Sequence, residues 1–346
     1  MESIQENREI EEELEKIKKY VEKSENPLIF FDDDHDGLIS YILLKKNYDK
    51  CKGIIVKAGM KDETIYFRKI KEYSPDLILI LDRAEISQEL IDSVSVPIIW
   101  IDHHPLLDRK GVNYFNPRKY DSNDNRPTSF WCYNLVKNNL WVALVGIFGD
   151  YYLPVHLIEN FEYSELLENK SNIEDILYTT KYGKLVKIFN FVLKGSTSEV
   201  RKNINMLCKL ENPYELLDKK TPRGKYLYGF YEKINKTYKL LWEMAVKSSK
   251  DKKLLLFLYP ESKISLSGLL SSELAYKYPD KLIMVGREKD SQLRFSLRGK
   301  NFMLPPLFKK AIEGLEGYGG GHDHAVGGNI SMKDFPEFIK RIKENI

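Results

Sequence analysis

The sequence predicts an α/β protein with a parallel-sheet N-terminal domain, a helical linker and a smaller mixed-sheet C-terminal α/β domain. Three observations predict it. Short continuous apolar runs alternate with helix-like segments over residues 27–101, the pattern of parallel strands buried on both faces. A helical, increasingly basic stretch covers roughly 155–250. A second set of mixed runs begins near 253 and closes in a glycine-rich tract and a final helix. The expected domains are 1–190, 191–250 as a linker, and 251–346.

Residues 4–23 place Ile4, Ile10, Leu14, Ile17 and Val21 at helical spacing, which predicts an amphipathic helix packed on the core. Strands are expected at PLIFF (27–31), GIIVKAG (53–59), DLILIL (76–81) and VPIIWI (96–101), with GLISYILLKK as a helix. Residues 127–150 supply another helix and the apolar run LWVALVGIFGD. Beyond 253 come LLLFLY, a helix-like ISLSGLLSSELAYKY, then KLIMVG and QLRFSLRG. The tract GYGGGHDHAVGG follows, with His322 placed where a helix could begin.

Composition narrows the function classes. With 346 residues, 42% hydrophobic and 30% charged, the chain can bury a core and build two domains. A net charge of +3 leaves any nucleic-acid footprint local, and residues 201–250 hold 12 Lys/Arg against 5 Asp/Glu. Cations there interleave with aromatics, which suits a single strand, with Arg223 and Lys225 as candidates; a packing helix is the alternative. The cysteines, Cys51, Cys132 and Cys208, form no CxxC pair, which argues against a disulfide framework or thiolate zinc site and for a reducing, cytoplasmic setting. The longest apolar run, around 140–148, is far short of the ~18 residues of a membrane span, and no secretory signal is visible. No membrane partner is expected.

The stretch FFDDDHDG at 30–37 crowds four carboxylates and an imidazole after an apolar run. Asp82 and Asp102 likewise close predicted strands, and Asp150 closes a further apolar run. Parallel strands end on one edge, so these carboxylates converge there. Like charges that close cannot all stay ionised without compensation, which divalent cations supply. Oxygen donors with a few imidazoles suit Mn²⁺ or Mg²⁺. Five of the six histidines lie in three places: His35, the pair His103 and His104, and His322 with His324. An EF-hand loop fails because Leu43 stands where a bidentate Glu is needed. A haloacid-dehalogenase-type nucleophile motif resembles residues 34–38, but leaves Asp102-His103-His104 without a role.

The sequence resembles the DHH phosphoesterase superfamily. The motifs are DxDxDG at 32–37, Asp82, Asp102-His103-His104, Gly149-Asp150 and the C-terminal GGGHDHAVGG, with Ser296-Leu297-Arg298 upstream. The resemblance covers nearly the whole chain. It is greatest to RecJ-type exonucleases in their compact archaeal form and to the short-oligonucleotide hydrolases called nanoRNases. It implies a DHH catalytic domain and a DHH-associated substrate-binding domain. It implies two Mn²⁺ or Mg²⁺ ions held by Asp34, Asp36, Asp82, His103 and Asp150, with Asp82 bridging and Asp32 at the first-metal end of the site. Asp82, His103 and His104 would be catalytic, His104 touching the scissile phosphate. Arg298, Gly319, Gly320, Gly321 and His322 would bind substrate.

The expected activity is metal-dependent, single-strand-specific exonucleolytic release of nucleotides from DNA or RNA ends. The alternatives are an oligoribonuclease or nucleotide phosphatase of nanoRNase type, or a non-catalytic replication scaffold. Expected partners are single-stranded nucleic acid or short oligonucleotides, and replication or repair proteins. Two departures from the RecJ pattern stand out. Arg83-Ala84 follows Asp82 where a small residue and glycine are usual, and His35 fills a slot usually uncharged.

Overall fold

A computed structural model of the protein describes residues 2–57, 63–248, 251–260 and 264–346. Two compact units divide the chain, Met1–Tyr228 and Gly229–Ile346, the division falling within the helix Pro222–Ser248.

In the first unit, β1 (Pro27–Asp32), β2 (Lys52–Val56), β3 (Leu77–Leu81), β4 (Ile98–Ile101) and β5 (Asn113–Phe115) form a sheet in the order β2-β1-β3-β4-β5. Every pairing is parallel. The apolar runs are continuous because both sheet faces are covered. Leu28, Phe30, Ile78, Ile80, Ile98 and Trp100 join one core cluster with Tyr66 and Leu90. Phe31, pointing the other way, stacks on Tyr41 of the helix His35–Asn47 with ring centroids 4.7 Å apart. The N-terminal helix Glu2–Lys23 buries Ile10, Leu14, Ile17 and Val21, the stripe expected from its period.

Three local differences from the sequence expectation bear on function. The strand expected over 53–59 ends at Val56, and residues 58 and 59 lie outside the described residues. The three-residue β5 was not expected; Tyr114 stacks on Trp100 of β4 at 3.9 Å and holds it to the sheet edge. The run LWVALVGIFG is a helix, Leu140–Gly149, apolar all round because it is buried all round. Asp150 therefore reaches the sheet edge from a helix end.

Strand order reverses between β1 and β3, since β2 lies on one side of β1 and β3 on the other. Connections leave in opposite directions there and open a crevice at the C-terminal strand ends. Asp32 ends β1, and Asp82 follows β3 directly.

The second unit holds a mixed sheet of β6 (Leu254–Tyr259), β7 (Leu282–Lys289), β8 (Gln292–Arg298), β9 (Gly317–His322) and β10 (Ala325–Ser331), ordered β6-β7-β8-β10-β9. β6 and β7 are parallel and the other pairs antiparallel. Leu293, Phe295, Leu297, Val326 and Ile330 bury one face against Phe308 and Phe338. The helix start expected at His322 is corrected: the glycine tract is the outer strand of a hairpin, and His322 ends β9. Glycines disfavour a helix, whereas here they let two backbones approach. A Cβ at Gly319 would fall 2.5 Å from the Gly327 carbonyl oxygen, and one at Gly321 would fall 2.1 Å from that of Ala325. Among the described residues, no helix is long and apolar enough to cross a membrane.

Candidate metal centre

The loop after β1 turns straight into the helix His35–Asn47. Asp34 caps that helix, its carboxylate accepting from Gly37 N at 3.0 Å. Gly37 is obligatory for this turn, because a Cβ there would sit 2.6 Å from the backbone nitrogen of Asp32. Asp36 points the other way, into the molecule. Its two oxygens accept from Thr128 N at 2.7 Å and Ser129 N at 2.8 Å, at the N-terminus of the helix Thr128–Val136. That helix end offers unpaired N–H groups and a positive dipole, which suit a carboxylate.

Asp82 leaves β3 with φ 57°, a left-handed conformation that a non-glycine residue adopts at a cost. Its side chain is buried, with Oδ1 accepting from Thr128 Oγ1 at 3.3 Å. His103 and His104 follow β4. His103 Nε2 lies 3.6 Å from Asp82 Oδ1 and 3.7 Å from Asp150 Oδ2. His104 Nδ1 lies 4.0 Å from Asp82 Oδ1 and 2.8 Å from Asp102 Oδ1. Among the described residues, two groups of side chains bring one ligand atom each within 4.8 Å of one another: Asp82, His103 and His104; and Asp36, His103 and Asp150. Neither group contains Asp32 or Asp34. Asp34 is nonetheless close enough for its charge to act on Asp36, Asp82 and Asp150.

The electrostatics follow from burial and crowding. Burial first, and the charge of Asp34 second, push the Asp36 carboxyl above its ordinary range. Burial, then Asp36 and Asp34, do the same to Asp150. Asp82 is raised well above the usual value by burial and by Asp36, Asp34, Asp150 and Asp32 in turn. Burial and then the charge of His104 hold the His103 imidazole down at about 4, so it is a neutral donor at neutral pH. Burial alone would lower His104 too, but its hydrogen bond to Asp102 and the nearby carboxylates outweigh that and raise it.

This donor set fits a divalent cation. Buried carboxylates repelling one another beside an unprotonated imidazole are stabilised by a positive ion, and oxygen-rich donors with one nitrogen suit Mn²⁺ or Mg²⁺.

Solved structures share this architecture. The chain superposes on RecJ from Thermus thermophilus, a structure in complex with Mn²⁺, with a TM-score of 0.68 at 15% identity over 97% of its own length. It spans 54% of that RecJ, about half. A structure of exonuclease RecJ bound to manganese matches with a TM-score of 0.64 at 16% identity, covering 97% of this chain and 94% of the other. A DHH domain described as a member of the s1p family of ribosomal proteins matches at 0.69 and 15% identity, over 98% and 91%. Residues 258–346 match the DHHA1 domain family. The chain has the RecJ-like DHH fold. No curated protein sequence matches it.

Within this DHH fold, the sequence-predicted residues fall into three groups. Asp34, Asp36, Asp82, His103, His104 and Asp150 gather at one edge of the parallel sheet. Asp32 lies at the same edge but pairs with Arg83. Arg298, Gly319, Gly320, Gly321 and His322 belong to the DHHA1 unit. There, Arg298 and His322 both face Ala325 across the ladder, so they share a sheet face. Gly320 lies on that same face, and a Cβ there would meet nothing within 4 Å. Arg298 Nε donates to Ser272 Oγ at 3.1 Å. The basic, aromatic segment is largely packing: Arg223 Nε bonds buried Glu215 at 2.8 Å, and Tyr228, Tyr231 and Tyr238 are buried.

Sequence reasoning missed the residues that hold the ligands. Asp102, fully buried, accepts from both the backbone and ring of His104. Asn116 Nδ2 donates to the His104 carbonyl at 2.9 Å, and Arg118 Nε to that of His103 at 2.8 Å. Thr128 and Ser129 cradle Asp36; the proline-then-hydroxyl start at Pro127-Thr128-Ser129 was a readable signal of that helix end.

Proposed function

We propose that the protein is a metal-dependent phosphodiesterase that removes nucleotides from an end of single-stranded nucleic acid. The observation that carries this reading is the position of His103, its Nε2 within 3.7 Å of carboxylates from two separate elements. Mn²⁺ or Mg²⁺ would be held by Asp34, Asp36, Asp82, His103 and Asp150. Bound there, divalent cations polarise a phosphoryl oxygen and acidify water at neutral pH.

The chain's own residues have defined tasks. Thr128 and Ser129 fix the Asp36 carboxylate, and the left-handed turn at Asp82 aims that carboxylate across the strand ends. Asp102 holds His104 by Nδ1, leaving Nε2 to donate to a phosphoryl oxygen as negative charge develops there. In the DHHA1 unit, Arg298 and His322 would flank the bare floor at Gly320 and hold a nucleotide's phosphate and sugar. Residues 1–190 would then serve as the catalytic domain, 191–250 as a helical linker and 251–346 as the substrate-binding domain. Support comes from the shared fold with Thermus RecJ, solved with Mn²⁺ and with Mg²⁺, and with a manganese-bound exonuclease RecJ. The full set of carboxylate and imidazole donors favours catalysis over a scaffold role.

The test is digestion of DNA and RNA strands of graded length, labelled at either end, with Mn²⁺. Stepwise shortening of long strands from one end, abolished by Asp82→Ala, is the expected result. Hydrolysis confined to the shortest oligonucleotides would replace this reading with a nanoRNase-type one. Inactivity on every length would favour the scaffold.

A further inference from the structure

Arg83 is the residue of the metal pocket that the RecJ pattern least explains. Its Nη1 donates to Asp32 Oδ1 in an ion pair between the ends of neighbouring strands. The pair is secluded, with side-chain exposures of 10% for Arg83 and 17% for Asp32. Arg83 is also pinned through its backbone, whose carbonyl accepts from buried Trp100 Nε1 at 2.9 Å. A guanidinium stays charged at any pH the protein meets. Moving Asp32 onto a cation would strand that charge in a poorly solvated place, which is strongly unfavourable. The groups of clustered ligand atoms agree, since neither contains Asp32. Asp34 differs: its cap bond to a neutral N–H does not bar it from coordination.

We infer that Arg83 withdraws Asp32 from metal coordination, so that Asp34, Asp36, Asp82, His103 and Asp150 hold the cation while the Arg83–Asp32 pair ties β1 to β3. This rests on the reading that the pocket binds a divalent ion. Asp32 is then a positioning residue, and Arg83 supplies a fixed positive charge beside the ligands.

The test is Mn²⁺ binding by the full chain, followed by electron paramagnetic resonance and calorimetry rather than by turnover. The double variant Arg83→Gln/Asp32→Asn removes both charges at nearly constant shape. Its Mn²⁺ Kd is expected within about threefold of native, whereas Asp82→Asn should weaken binding by about 100-fold. Arg83→Gln alone releases Asp32 and should tighten Mn²⁺ binding by about tenfold, a gain that adding Asp32→Asn erases. Circular dichroism of each variant keeps a folding failure from passing as a binding loss. A loss of about tenfold or more in the folded double variant would make Asp32 a ligand and overturn the inference alone. A native protein that binds no Mn²⁺ would overturn the metal reading and this inference with it.

Discussion

His104 donates to Asp102 twice, from its backbone N–H at 3.0 Å and from ring Nδ1 at 2.8 Å. The pair fixes the ring's tautomer and orientation, as outer carboxylates do for histidines at metal sites. It also outweighs burial and raises the imidazole above its ordinary value. A reaction that needs protonated His104 is lost as pH rises through that raised value. Asp102→Asn removes the charge, so the imidazole becomes less basic. The alkaline limb of the kcat/KM profile should move to lower pH, with a loss of about 10–100-fold near neutrality. A pH–rate series on a short oligonucleotide with Mn²⁺ checks it; an unmoved limb would remove His104 from the proton chemistry.

His35 and Gly149 form a second coupled pair. His35 Nδ1 accepts from Asp36 N at 3.1 Å, and Nε2 donates to the Gly149 carbonyl. A Cβ at Gly149 would lie 2.0 Å from His35 Cδ2. The imidazole thus joins the Asp36 turn to the helix end that presents Asp150. Gly149→Ala should displace that end and weaken Mn²⁺ binding by about tenfold. In a His35→Ala background the added methyl has room, so the double variant should lose less than the sum of the singles, with a coupling of about 0.5–3 kcal/mol. Calorimetric Mn²⁺ titration of the four proteins measures it; simple additivity would mean that His35 does not position Asp150.

What could be read in the sequence follows from what each residue's signal depends on. β1, β3 and β4 were legible because burial on both faces makes them continuous Val/Ile/Leu/Phe runs, and the acid ending each run marked the edge. The helix carrying Asp150 was not legible as one, because an all-apolar run has no period to separate helix from strand. β5 is too short for alternation and depends on Tyr114 stacking on Trp100. The Arg83–Asp32 pair joins residues 51 apart in sequence, and only the order of β1 and β3 brings them together. In the DHHA1 unit the tract GYGGGH carried no sign of its register, which is what separates packing glycines from an open one.

The acidic cluster makes stability depend on pH in a definite direction. Asp36, Asp82 and Asp150 all have carboxyls raised above 3.8 in the folded protein, through burial first and neighbouring charge second. The folded state therefore holds these protons more tightly than the unfolded chain. Their contribution is fully present below about pH 4 and is lost as pH rises through the raised values. Metal-free protein should lose stability on this account toward neutral pH, and a cation should restore it. Asp82→Asn removes one repelling charge at nearly constant shape. Without metal, it should melt a few degrees above native near about pH 8, the gap closing near about pH 4. Saturating Mn²⁺ should raise the native Tm at the higher pH and the variant's far less. Calorimetric melts at both pH values, with and without Mn²⁺, decide it. A metal-free variant that melts lower than native near about pH 8 would show that repulsion is not what the pocket must overcome.

The two neighbouring glycines of β9 should behave oppositely. Gly319 faces the core side, where a Cβ would meet the Gly327 carbonyl at 2.5 Å and the Phe308 ring at 2.8 Å. Gly320 faces the side shared by Arg298 and His322, where a Cβ meets nothing within 4 Å. Gly319→Val must push the hairpin apart and should cost about 1–3 kcal/mol, seen as a lower Tm. Gly320→Val places a strand-compatible side chain over open floor, so the Tm should hold or rise slightly. If that floor receives a nucleotide, Gly320→Val should raise KM for oligonucleotides by about tenfold while kcat changes little, the signature of lost uniform binding. Unaltered KM in a well-folded Gly320→Val protein would move the substrate grip away from β9.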